Sequence, residues 1–138
     1  MKFLLKLNIR ILFVLCSIVT LPAQNINNIE KKILKSIEQN NTEAIQFLKN
    51  VVNINSGTMN HQGVKKVGDV FGKAFEDIGF QSNWYEMSEV NRSGHLFAEL
   101  SGDRGKRILL IGHLDTVFEE NSEFQEFKMI NDSIAHAP

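Results

Sequence analysis

The chain of 138 residues has a single cysteine, Cys16, no long apolar run and no basic stripe. Each absence excludes something. One cysteine cannot form an intramolecular disulfide, so no covalent framework stands in for a core. The longest apolar stretch, Ile11 to Leu21, has eleven residues, well short of the roughly 20 that cross a bilayer as a helix. Nucleic-acid binding draws on clustered Lys and Arg, which this sequence does not contain. The chemical signatures missing are G-x-S-x-G, H-E-x-x-H, G-x-G-x-x-G, G-x-x-x-x-G-K and C-x-x-C, which sets aside serine-hydrolase elbows, single-zinc helix motifs, nucleotide loops and dithiol sites. There are no internal repeats and no low-complexity tracts.

What is present begins with a separable N-terminus. Lys2, Lys6 and Arg10 form a basic lead, Ile11 to Leu21 an apolar middle, and Pro22-Ala23-Gln24 a small residue at a cleavage point, the layout of a secretory signal peptide over residues 1–23. Bulky Leu15 before Cys16 does not suit lipid attachment, so Cys16 is an apolar member of the signal. Cleavage after Ala23 leaves 115 residues without cysteine, and the net charge of −1 becomes −4 as the three cations leave. The expected product is exported, periplasmic or secreted, with no stable membrane span and no affinity for nucleic acid.

Residues 24–138 have ordinary globular composition, with 43% hydrophobic and 22% charged residues over the whole chain. Ile29, Ile33, Leu34, Ile37, Ala44, Ile45, Leu48 and Val52 recur at three- and four-residue spacing and predict an amphipathic helix from Asn27 to about Val52. Asn27 and Glu30 have the spacing of a capping box, and the polar "EQNNTE" at 38–43 is a point of interruption. "NINSGTMNHQG" (53–63) reads as a loop. Val64, Val67, Val70, Phe71, Ala74, Phe75 and Ile78 predict a second helix over 63–78, ended by Gly79. Three short segments follow as strands, "FQSNWYEM" (80–87), "HLFAEL" (95–100) and "RILLIG" (107–112), the last apolar on both faces like a central strand. "FEENSEFQEFKMIN" (118–131) reads as a loop anchored by Phe124 and Phe127. The expected class is α/β, two helices followed by about three strands in an incomplete sheet.

Beyond the third segment the sequence turns polar at "GHLDTVF". In extended backbone His113 and Asp115 project to one side, and the carboxyl end of a central strand is where open α/β sheets bind ligands. Neutral imidazole is a common zinc ligand and a nearby carboxylate orients the ring. The pattern His-x-Asp by itself arises by chance about once in seven chains of this composition, and an aspartate capping a backbone amide explains it as well. His61, His95 and His136 suit surface or structural roles.

Taken together, "INSGTMNHQGVKKVGDVFGKAFEDIGF" (54–80), "HLFAEL" (95–100) and "RILLIGHLDTVF" (107–118) resemble, in order, the co-catalytic zinc peptidases that include glutamate carboxypeptidases, aminoacylases and related amidohydrolases. The resemblance implies that His113 is a zinc ligand and that Asp115 supports it and assists catalysis. It further implies two zinc ions bridged by an aspartate and a water, a glutamate general base, and a small peptide or N-acyl amino acid substrate. The family's segment resembling A-x-G-P-G and the following bridging aspartate have no counterpart past "AHAP" (135–138), nor has the inserted dimerisation domain. Residues 24–138 therefore read as the N-terminal portion of such a catalytic domain, inactive alone, with a homodimer open only to the complete enzyme. The alternative is an exported non-catalytic α/β module binding through loop 118–131, and a fragment without a stable fold is a third reading. N-terminal sequencing of the exported product should start at Gln24, whereas a chain retaining Met1 in the exported fraction would sink the signal-peptide reading.

Overall fold

A computed structural model describes residues 26–138. The signal peptide assigned to 1–23, including Cys16, lies outside the described residues. The described part is a mixed α/β structure with an incomplete sheet: helix α1 (Asn28–Val52), helix α2 (His61–Asp77), strand β1 (Gln81–Glu86), a short 3-10 turn (Ser88–Val90), β2 (Gly94–Glu99), β3 (Lys128–Asn131) and β4 (Ile134–His136). The chain divides into two compact units, Met1–Asn40 and Asn41–Pro138, so α1 gives its first half to one and its second half to the other. Among the described residues no helix is long and apolar enough to cross a membrane.

In the first unit the start of α1 is set by its own sequence. The Asn27 side-chain oxygen accepts from the Ile29 and Glu30 amides at 2.8 and 3.0 Å, and the Glu30 carboxylate accepts from the Asn27 amide at 2.7 Å. This reciprocal pairing satisfies three amides near the helix start, the physical content of a capping box. The polar run at 38–43 does not interrupt the helix, which is continuous to Val52. Within that run the Asn40 side chain donates to the Ser36 hydroxyl one turn back, so it does not compete for the backbone. Ile29, Ile33 and Ile37 are exposed.

The second unit is built around α2. Its first turn is capped by the Asn60 side chain, which accepts from the Gly63 amide at 3.0 Å. At its end Gly79 takes φ +92°, a left-handed value natural to glycine, and the Gly79 and Phe80 amides return to Glu76 and Phe75 carbonyls. Lys65–Asp69 and Lys73–Asp77 pair one turn apart along it, the Lys65 ammonium also lying 5.0 Å over the Trp84 ring. The Lys73 ammonium is held above its ordinary range, first by the hydrogen bond it donates to Asp77 and then by that carboxylate's charge.

The other face of α2 meets the β1–β2 hairpin. The strands pair antiparallel from Gln81↔Glu99 to Glu86↔Gly94, and alternation sends Ser82, Trp84, Leu96 and Ala98 to one side, where they are half-buried, and Tyr85 and Phe97 to the exposed side. Glycines on α2 let the hairpin approach: Ser82 Oγ donates to the Gly72 carbonyl at 3.2 Å, and a Cβ at Gly68 would lie 2.5 Å from the Trp84 ring. Val51, Val64 and Val67 are the buried hydrophobic core, and Phe47 meets Phe71 edge-to-face at 5.4 Å.

The sheet departs from expectation at its third member. Residues 107–112 form no strand, and Ile108, Leu109, Leu110 and Ile111 are 78–88% exposed. An apolar run becomes a central strand only between two neighbours that supply ladder partners and cover for both faces. Among the described residues β1 pairs with β2 alone and β3 with β4 alone, so nothing brackets this run. Conversely, the end of the expected loop 118–131 is strand β3, paired antiparallel with β4. The Asn131 side chain accepts from the Ser133 amide at 2.9 Å and shapes the tight turn between them.

The close fit at Gly68 gives a measurable expectation. Gly68→Ala gains helix propensity of about 1 kcal/mol but forces the Trp84 ring aside, an overpacking cost of about 1–3 kcal/mol. Urea unfolding should show a net loss, and adding Trp84→Phe should recover most of it. A stabilised single variant would contradict the packing described.

Candidate functional site

Loop 53–60 and segment 113–127 are far apart in sequence and held together mostly by polar groups. The backbone makes one parallel bridge between Gly57 and Thr116: the Thr116 amide donates to the Ser56 carbonyl at 2.9 Å and the Thr58 amide to the Thr116 carbonyl at 3.1 Å. Around it the loop's asparagines act as cross-links. Asn55 Nδ2 donates to the Phe118 carbonyl at 3.0 Å and to Gln125 Oε1 at 2.7 Å, while Asn55 Oδ1 accepts from Asn60 Nδ2 at 2.9 Å. Asn53 Oδ1 accepts from the Phe127 amide at 2.8 Å, and Glu119 Oε1 from the Met59 amide at 3.1 Å. Ser56 is buried in the middle.

Gly57 is required by this approach. A Cβ there would sit 2.7 Å from the Glu119 Cα and 2.6 Å from its carboxylate, and backbone on the opposite side cannot rotate away. Phe118 and Phe124 stack edge-to-face at 5.0 Å, closing the segment on itself. The expected anchors were Phe124 and Phe127; Phe124 packs on Phe118, whereas Phe127 is tied through its backbone amide to Asn53.

On this clasp sit the two candidate residues. His113 and Asp115 do come together: Nδ1 of the imidazole lies 3.6 Å from Asp115 Oδ1. The histidine side chain is 90% exposed and the aspartate 34% exposed. Because 107–112 is unpaired, His113 does not stand at the end of a strand, and the pair is positioned by the Gly57–Thr116 bridge that follows it. The second oxygen of Asp115 accepts from the Thr58 hydroxyl at 2.7 Å. Thr58 was not among the expected site residues. It stands in a Ser-Gly-Thr turn 57 positions upstream, and no local pattern links it to Asp115.

The remaining histidines keep apart from the pair. His61 opens α2 and its carbonyl accepts from buried Ser93 at 2.8 Å, His95 lies on the exposed face of β2 against Phe97, and His136 is exposed on β4. Among the described residues no three His, Cys, Asp or Glu side chains gather as metal donors. A catalytic zinc takes at least three protein ligands. His113 with Asp115 thus fits one corner of a zinc site and does not make a site for one zinc ion, still less two.

A mixed α/β segment carrying an exposed imidazole backed by a carboxylate is compatible with a hydrolase, and the sequence comparison points the same way. The chain is similar to Carboxypeptidase G2 of Pseudomonas sp. (strain RS-16), with 27% identity over 74 residues, a stretch that is 54% of this chain and 18% of that protein. The match therefore spans less than a fifth of the relative's length. No protein-family model matches the chain, and no solved structure does. The likeness is to a carboxypeptidase, and it reaches no further than a distant hydrolase relationship.

The clasp predicts its own weak point. Asn55→Ala leaves Gln125 Oε1 and the Phe118 carbonyl without their donor, while Asn60 keeps its bond to the residue-55 carbonyl, at a cost of about 1–3 kcal/mol. It should lower the urea midpoint and hasten proteolysis within 113–127 before the α2–hairpin unit is cut. Unchanged proteolysis of that segment would contradict the cross-linking role.

Proposed function

We propose that this chain is the N-terminal part of an exported zinc-dependent hydrolase of amide or peptide bonds, of the carboxypeptidase or N-acyl amino acid amidohydrolase type. In this reading His113 contributes a zinc ligand and Asp115 orients it. The observation that carries the proposal is the 3.6 Å approach of Asp115 to Nδ1 of an exposed imidazole, which leaves Nε2 as the free donor. A metal-bound histidine usually has a carboxylate or carbonyl beside its other ring nitrogen. The likeness to Carboxypeptidase G2 supports the reaction class.

Two close metal ions would acidify a bound water and stabilise the oxyanion of amide hydrolysis. What residues 26–138 contribute is one ligand and the carboxylate that steers it. The 138-residue chain alone is accordingly expected to hydrolyse nothing. The substrate expected for the complete enzyme is a small peptide or N-acyl amino acid. The binding-module alternative leans on aromatic loop 118–131, but Phe118 and Phe124 are spent on one another.

The test is on the product of the complete reading frame. Purified and analysed for metal, it should hold two zinc ions per chain and release the terminal residue or acyl group from such substrates. His113→Ala should lower zinc content and reduce turnover by at least about 100-fold, in line with the loss of metal-site groups. Full activity in His113→Ala, or zinc-dependent turnover by the 138-residue chain alone, would refute the assignment.

A further inference from the structure

We infer that Thr58 is a positioning residue for the His113–Asp115 pair: its hydroxyl holds one oxygen of the Asp115 carboxylate so that the other faces Nδ1 of His113. This rests on reading that pair as functional, though not on the presence of any metal. The hydroxyl lies 2.7 Å from Asp115 Oδ2 and 3.2 Å from the Thr116 carbonyl. A hydroxyl has one proton to give, and the shorter bond to the charged oxygen is the stronger. It therefore goes to Asp115.

The Thr58 amide pairs independently with the Thr116 carbonyl at 3.1 Å, so the backbone bridge does not need the side chain. Threonine is also stiff about χ1 because it branches at Cβ. Its hydroxyl is thus a fixed post on a fixed strand of loop, and the carboxylate swings only about that post.

The consequence falls on the histidine. With its side chain 90% exposed, the ring has Asp115 Oδ1 as the charged group beside Nδ1. An oriented carboxylate there favours the neutral tautomer with the proton on Nδ1, which leaves the Nε2 lone pair facing outward. A carboxylate free to rotate would not hold that preference. Thr58 acts one step removed from the imidazole, and so is a positioning and not a catalytic residue.

Imidazole nitrogen NMR on the 138-residue chain tests this without metal or substrate. Spectra are taken about two pH units above the ordinary histidine value of ~6.5, with the His113 signals identified by their loss in His113→Gln. The expected result is a dominant Nδ1–H tautomer. Thr58→Val should cut the ratio of Nδ1–H to Nε2–H by roughly threefold or more, the scale of one modest hydrogen bond, while Thr58→Ser leaves it unchanged. The Gly57 and Thr116 amide signals report whether the bridge persists. Retention of the tautomer ratio in Thr58→Val would overturn the inference, as would its loss in Thr58→Ser. Simultaneous loss of the ratio and the bridge in Thr58→Val would also overturn it, since the side chain would then act through the backbone. An absence of zinc in the complete enzyme would sink the hydrolase reading yet leave this result standing.

Discussion

The clasp between loop 53–60 and segment 113–127 is the constraint on which the candidate site depends. Without the Gly57–Thr116 bridge and the Asn55 cross-links, His113 and Asp115 would belong to a tether, since among the described residues the apolar run before them has no neighbouring strand. A single parallel bridge is a weak anchor by itself. It is held because side chains on both sides finish what the backbone starts: Asn55 reaches forward to 118 and 125, Asn53 to 127, and Glu119 back to 59. Each such bond contributes about 1 kcal/mol net, so together they reinforce the bridge by a few kcal/mol at most.

The two halves of the second unit are thus stabilised differently. Between α2 and the β1–β2 hairpin, small residues on the helix admit Trp84 and Leu96, and apolar burial with two hydroxyl bonds, from Ser82 and Ser93, holds the contact. Between the loop before α2 and the segment after Asp115, the work is polar. The α2 N-cap joins them, because Asn60 both starts the helix and bonds Asn55. A change in the loop therefore reaches the helix start as well as the site. Gly63 shows how tight this junction is: an added Cβ would fall 1.8 Å from the Asn55 carbonyl oxygen.

Much of the local structure was legible from residue order. The capping box at Asn27 and Glu30, the spacing of valines on α2, the glycine ending it and the alternation in β1 and β2 are all decided by groups a few residues apart. The run Ile108–Ile111 was not legible in the same way. Its composition says that it needs cover on both faces, but cover comes from other elements, and hydrophobicity does not name them. The polar residues of 53–63 read as a loop, and 53–60 are one while 61–63 already belong to α2; that Asn55 and Thr58 are cross-links was invisible, because an asparagine in a turn looks alike whether it bonds its own backbone or a segment 70 residues away.

The sequence by itself determined the two helices, the first two strands, the α/β class and the candidacy of His113 and Asp115, since these follow from spacing of three, four or two residues and from side-chain chemistry. Tertiary structure decided that the pair is mounted on a clasp and not on a strand end, and that Asp115 has one oxygen held by Thr58 and the other turned to the imidazole. Those facts depend on hydrogen bonds between positions some 60 residues apart, a distance over which periodicity and propensity carry no information.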